Sequence, residues 1–155
     1  MMINLKLKRM KRVYFLTILL LCSLQGLIAQ EWITNFERAK EIASQQHKPI
    51  ILVFQGSDWC APCIKLEREV WQTDVFKDYA ATHFVMLKAD FPKRKKNVLS
   101  DKQTEQNKKL AELYNKNGYF PFVVVLDKNG NILGETGYKK LSPQEYIKLL
   151  NSFIK

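Results

Sequence analysis

Cysteine, histidine, glycine and proline are all sparse in this chain, whose 155 residues include three Cys, two His, six Gly and five Pro. Three cysteines are too few to staple a small domain with disulfides. A structural zinc site needs about four ligands, and one close cysteine pair with the isolated His47 and His83 does not supply them. No metal and no cofactor is expected. So few glycines and prolines exclude collagen-like and low-complexity chains, and 46% hydrophobic with 26% charged residues is the composition of an ordinary globular protein. No internal repeat is visible, and the length suits one compact domain rather than two.

Acidic residues are missing altogether from residues 1–29, where Lys6, Lys8, Arg9, Lys11 and Arg12 supply half of the formal charge of +10. The other half is concentrated in residues 93–109, where Lys93, Arg94, Lys95, Lys96, Lys102, Lys108 and Lys109 meet only Asp101 and Glu105. A single local patch without interleaved aromatic residues or a reader motif argues against nucleic acid as a partner. Such a run is usually a solvated loop, and docking of an acidic partner is its functional alternative.

Residues 1–12 are basic, Val13 to Leu21 are apolar apart from Tyr14 and Thr17, and Leu27-Ile28-Ala29 precede the polar Gln30-Glu31. The apolar stretch falls short of the ~20 residues of a comfortable membrane span, and the order is that of a secretory signal peptide. Cleavage is expected after Ala29, leaving residues 30–155 as an exported domain, with the periplasm as the expected compartment. Leu27 is larger than the small residue preferred at its place, which keeps an uncleaved anchor as an alternative. Lipidation of Cys22 is another, disfavoured by the Leu19-Leu20-Leu21 before it. Outside the cytosol thiols oxidise unless electrons are supplied, so the remaining pair, Cys60 and Cys63, has to be read together with its compartment.

Thr34-Asn35-Phe36-Glu37 has capping-box spacing, and Phe36, Ala39, Ile42 and Ala43 recur at helical intervals, which predicts a helix over 35–46. The apolar run Ile50-Ile51-Leu52-Val53-Phe54 before Gly56-Ser57-Asp58 predicts a central strand buried on both faces. A helix is expected over 61–72, with Pro62 in its first turn, and a further helical piece capped by Thr73 through Ala81. Phe84 to Leu87 read as a second buried strand, and Ser100-Asp101-Lys102-Gln103 as the start of a helix that Asn117-Gly118 can end. Pro121 opens a strand over 122–126, Asn129-Gly130 signals a hairpin to Ile132-Leu133, and Ser142-Pro143-Gln144-Glu145 caps a last helix. The order α, β, α, β, α, β, β, α implies a mixed sheet between helices.

Trp59-Cys60-Ala61-Pro62-Cys63 falls at the join between the central strand and a helix. Cys60 would sit at the helix N-terminus, where unpaired N–H groups and the positive dipole end stabilise a thiolate and lower its pKa below about 8.5. Cys63, one turn deeper, could then attack a mixed disulfide between Cys60 and a substrate and close a Cys60–Cys63 disulfide. Ala61 and Pro62 stiffen the turn and Trp59 shields one side. A permanent structural disulfide between these two would close too small a loop to constrain the chain much. His47 and His83 flank strands at surface positions and read as bland polar residues.

These residues resemble the thioredoxin superfamily, and more closely its exported thioredoxin-like disulfide reductases, over most of residues 32–155. The carriers are Gly56 through Cys63, Phe120-Pro121, Asp127-Lys128-Asn129-Gly130-Asn131 and Gly137. The resemblance implies an α/β fold with a central mixed sheet flanked by helices on both faces. It also implies a cis bond before Pro121, with Phe120 and Pro121 forming the shelf on which a substrate backbone rests. Two departures stand out. The central strand lacks the buried aspartate that thioredoxins commonly use to move protons for the deeper cysteine, so Cys63 must use water or another group. Phe120 replaces a smaller residue, which narrows the groove or makes it more apolar.

The leading expectation is a monomeric thiol–disulfide oxidoreductase in which Cys60 attacks and Cys63 resolves, reducing disulfides of exported proteins. Ala61-Pro62 resembles the Gly-Pro of reducing thioredoxins, and the resemblance implies a membrane thiol electron donor as the second partner. Oxidase or isomerase activity is a variant of the same chemistry. A non-catalytic module that docks an acidic partner through residues 93–109 is a different class, and Cu(I) delivery by the two thiolates is a third.

Overall fold

A computed structural model describes residues 30–154. The expected export segment, residues 1–29 with Cys22, lies outside the described residues. The elements are β1 (Trp32–Ile33), α1 (Phe36–Gln46), β2 (Ile50–Gln55), α2 (Ala61–Leu66) running into a π-helical turn (Glu67–Trp71), α3 (Asp74–His83), β3 (Val85–Asp90), a 3-10 turn (Lys95–Asn97), α4 (Asp101–Tyr114), β4 (Phe122–Leu126), β5 (Ile132–Gly137) and α5 (Pro143–Asn151). The strands form one sheet in the order β1-β3-β2-β4-β5. β1 and β2 pair with β3 in parallel, and β4 pairs antiparallel with both β2 and β5.

Every residue of β2 is buried, because side chains alternate across the sheet and helices cover both faces. Ile51 and Val53 join Met86, Val123 and Val125 against Leu66, Val70 and Trp71, Phe76 and Ala80 of α3, and Tyr146, Ile147 and Leu150 of α5. Ile50, Leu52 and Phe54 face the other way with Leu87, Ala89, Val124 and Leu126, against Ala39 and Ala43 of α1 and Leu110 of α4. The expected mixed sheet between two helical layers is therefore present.

Trp71 holds the redox helix to the first of these cores. Its ring meets Phe76 at 4.6 Å, Tyr146 at 5.2 Å and Trp32 at 6.2 Å between centroids, each edge to face. The π-helical turn adds a residue to the usual helical repeat, and Leu66, Val70 and Trp71 are all buried along it. A uniform α-helix over 61–72 was expected, and the widened turn is a correction that apolar spacing could not show.

Other departures have local causes. The cap of α1 is Asn35, whose side-chain oxygen accepts the Arg38 N–H, rather than Thr34, whose carbonyl accepts the side-chain amides of Gln103 and Gln106. β1 was not anticipated, being two residues long and held as an edge to β3. β3 continues to Asp90 because its polar residues find partners: the Lys88 ammonium lies 4.5 Å from the Trp32 ring centroid, and the Asp90 carboxylate accepts from Ser57. α4 stops at Tyr114, ahead of Asn117-Gly118, although Gly118 does adopt a left-handed φ of 66°. The hairpin loop is organised by Asp127, which accepts the Asn129 and Asn131 N–H groups, with only Gly130 left-handed at φ 90°. The Ser142–Glu145 capping box is formed as expected.

Trp71→Ala removes the ring shared by three elements. Loss of a buried aromatic typically costs about 3–5 kcal/mol, and a fall in unfolding stability of that size, read by denaturant titration of circular dichroism, is expected. A loss under about 1 kcal/mol would show that Trp71 does not anchor the helix.

Candidate active site

β2 ends at Gln55 and the chain turns at once through Gly56, Ser57, Asp58 and Trp59. The Cys60 N–H donates to the Gly56 carbonyl at 3.0 Å, closing the turn. Gly56 is required by space, since a Cβ there would overlap the Trp59 indole. Cys60 then takes the N-cap of α2 with an extended backbone, and its sulfur accepts the Cys63 N–H at 3.3 Å. Pro62 occupies the first helical turn, where a missing N–H leaves nothing unpaired. Cys60 and Cys63 are joined by a disulfide, with Cα atoms 5.2 Å apart. The deeper seat expected for Cys63 is not visible as exposure, which is 4% at Cys60 and 3% at Cys63.

The turn is fastened to the segment after β3. The Asp58 carboxylate accepts the N–H groups of Lys93 and Arg94 and the side-chain amide of Asn97, at 2.9, 3.0 and 2.8 Å. The Ser57 N–H and hydroxyl donate to Asp90, and the Trp59 indole N–H donates to the Phe91 carbonyl at 2.7 Å. The hydrogen bond from the Lys93 backbone, helped by Asn97 and Arg94, holds the Asp58 carboxyl below its ordinary value of 3.8.

Phe120 and Pro121 arrive from the other side. The Phe120–Pro121 bond is cis, in line with the resemblance. Phe54 pairs with Phe122 across β2 and β4, so Pro121 lies level with the end of β2 that feeds the cysteine turn. The Phe120 ring packs on Trp59 and on Phe91, each 5.4 Å between centroids, giving the rim the apolar character that its size suggests. Trp59 remains 38% exposed and Ile64, next to Cys63, 47% exposed. Trp59, Cys60, Ala61, Pro62, Cys63 and Phe120 thus share one end of the sheet with Pro121.

A family model described as thioredoxin-like matches residues 31–128. The chain belongs to the thioredoxin-like family. Its enzyme class, carried by the Cys60–Cys63 disulfide together with the reductase and oxidoreductase relatives that follow, is thiol–disulfide oxidoreductase. Among relatives, it is 36% identical over 121 residues to the disulfide bond reductase DsbH of Chlamydia pneumoniae, covering 78% of this chain and 71% of that one. It is 28% identical to the thioredoxin-related protein DsbJ of the same organism, over 56% of this chain and 27% of that one. A solved DsbH oxidoreductase superposes with a TM-score of 0.74 at 34% identity, covering 80% of this chain and 83% of that structure. A disulphide isomerase from Xylella fastidiosa shares the fold, with a TM-score of 0.57 at 22% identity over 77% of this chain and 88% of that one.

Where thioredoxins commonly place an aspartate on the central strand, this family member has only apolar residues up to Gln55. A carboxylate nonetheless reaches the same region from the helix. Cys63, Glu67 and Lys88 line one cleft of about 280 Å³ with Gln55, Ser57 and Ile64. Glu67 follows Cys63 by one helical turn and so shares its face. One carboxylate oxygen of Glu67 accepts from Gln72 at 3.3 Å, while the other is buried with no partner. Sequence reading missed Glu67, although its i+4 spacing from Cys63 was the available signal. His47 is the left-handed C-cap of α1, and His83 stacks on Tyr79 at the end of α3; neither joins the site.

A carboxyl whose folded pKa is depressed contributes its stabilisation above the unfolded value and loses it as the pH falls through the folded one. Protection of the Lys93 and Arg94 amide hydrogens from exchange, once corrected for the intrinsic pH dependence, should therefore hold at neutral pH and disappear below the ordinary aspartate value of 3.8. In Asp58→Ala that protection should be lost at every pH. Protection that persists in the variant would contradict the fastening role of Asp58.

Proposed function

We propose that this chain is an exported reductase of protein disulfides in which Cys60 attacks and Cys63 resolves. The observation that carries the reading is the position of Cys60, at the N-cap of α2 with its sulfur accepting a backbone N–H and Cys63 within bonding distance. A thiolate at that place is favoured by the helix dipole and by the same N–H. In the reduced protein it attacks one sulfur of a substrate disulfide, forms a Cys60 mixed disulfide and expels the other substrate sulfur as a thiolate. The Cys63 thiolate then attacks the Cys60 sulfur, forms the Cys60–Cys63 disulfide and releases the second substrate thiolate. Two electrons pass to the substrate, whose thiolates take up two protons.

Glu67, which lines the same cleft as Cys63 and keeps one buried carboxylate oxygen without a partner, acts as the proton acceptor for the Cys63 thiol. Phe120 and Pro121 supply the shelf for the substrate backbone, and Trp59, Ala61 and Pro62 shape the approach to Cys60. Recharging requires an external dithiol, and for an exported protein that donor is a membrane thiol carrier. Residues 1–29 are the cleaved signal peptide and residues 30–155 the working domain.

Mixing the reduced protein with a disulfide-bonded exported polypeptide tests the order of attack. Cys63→Ser should accumulate a reductant-sensitive covalent adduct through Cys60, and Cys60→Ser should give none. Glu67→Gln should slow resolution of the mixed disulfide by at least about 10-fold while leaving its formation unchanged. An adduct formed through Cys63 in Cys60→Ser would reverse the assignment, and no adduct from either variant would end the reading.

A further inference from the structure

Residues 93–97 carry four cations and no acid, and all five side chains are exposed. A solvated loop would leave such charges free to spread apart. Here the backbone is pinned: the N–H groups of Lys93 and Arg94 and the Asn97 amide are spent on Asp58. The Asp58 carboxylate in their midst accepts from these neutral donors and keeps its charge, which attracts Arg94, so four cations face one anion and the segment retains a net positive excess. Among the described residues, no ion pair engages the side chains of Lys93, Arg94, Lys95 or Lys96. The remaining basic residues of the 93–109 segment lie on α4, where Lys109 pairs with Glu105 at 3.6 Å.

The position of these charges matters as much as their number. Asp58 is two residues from Cys60, and Trp59 between them donates to the Phe91 carbonyl. The Lys93 ammonium lies 4.0 Å from the Trp59 ring centroid, a cation held over the indole that borders the disulfide. Like charges gathered on a fixed segment repel one another, a local cost of the kind that proteins carry at functional sites. The Lys93 ammonium stands beside the apolar rim that Trp59 forms with Phe120.

We propose that residues 93–97 form a basic selection rim, so that the preferred substrates are polypeptides whose disulfide is flanked by aspartate or glutamate. The inference rests on the exchange chemistry proposed for Cys60 and Cys63 and adds the substrate class. The acidic flank meets Arg94, Lys95 and Lys96 while the disulfide reaches Cys60. Charge complementarity of this kind raises the encounter rate and weakens with salt.

The test uses two disulfide-looped peptides of identical ring sequence, one flanked by Asp and Glu and the other by Lys and Arg, with bis(2-hydroxyethyl) disulfide as a neutral disulfide. The reduced protein should oxidise with the acidic peptide about 10-fold faster than with the basic one at low salt. The ratio should fall toward one at about 1 M salt, where the screening length is about 3 Å. In Arg94→Glu/Lys95→Glu/Lys96→Glu the ratio should invert, and in the Gln counterpart it should approach one. Because each protein is scored by its own ratio, a general loss of activity cancels. Equal rates for the two peptides at low salt, or a preference unchanged in both variants, would overturn the rim while leaving the exchange chemistry standing. Failure to react with either peptide and with the neutral disulfide would overturn the exchange reading, and the rim with it.

Discussion

Four hydrogen bonds bind the four-residue turn after β2 to the segment after β3, two more bind it to Asp90 at the end of β3, and the Phe91 N–H donates to the Gln55 carbonyl at the end of β2. The turn has no side-chain room to relax, because Gly56 lies directly under the Trp59 indole. Its geometry places Cys60 at a helix N-terminus instead of within the strand or the helix body. The properties ascribed to the sulfur follow from that placement, since an N-cap gives it a backbone N–H to accept and the positive end of the dipole. The same fastening brings the basic segment and the aromatic rim to the disulfide, so chemistry and recognition share one anchor.

Behind the turn, rigidity comes from packing. β2 is buried on both faces, and the helix that carries the cysteines is held at its far end by Trp71 among Trp32, Phe76 and Tyr146. Close-packed aromatic contacts of this kind resist small displacements. A disulfide exchange needs sulfur atoms aligned in sequence, so a fixed helix start above a fixed sheet is the useful arrangement. On the opposite face α1 and α4 cover the sheet with Ala39, Ala43 and Leu110, joined at the margin by Phe36, Ile42 and Tyr114.

Much of this was legible from residue order. The continuous apolar run Ile50 to Phe54, the Trp59-Cys60-Ala61-Pro62-Cys63 join and the Ser142–Glu145 box each encode local structure, and each is found as read. What escaped depends on partners distant in sequence. Asn35 rather than Thr34 caps α1, and the Thr34 carbonyl is instead engaged by Gln103 and Gln106 about 70 residues on, contacts that local spacing does not show. Lys88 and Asp90 look like the end of a strand until Trp32 and Ser57 are seen to receive them. Asp58 reads as an ordinary turn residue, and only the fold shows it tying down the basic run. Glu67 lies within the very helix that was anticipated, yet its role as a candidate proton acceptor depends on the cleft formed with β3.

The equilibrium reduction potential of the Cys60–Cys63 couple in residues 30–155, followed by tryptophan fluorescence during dithiothreitol or glutathione titration, tests the reducing role most directly. Thioredoxin-like reductants lie near about −270 mV and strong oxidants near about −120 mV. A value below about −230 mV is expected here, consistent with a protein that passes electrons to substrate disulfides and is recharged by a stronger thiol donor. A value above about −170 mV would contradict it and make the chain an oxidant or isomerase.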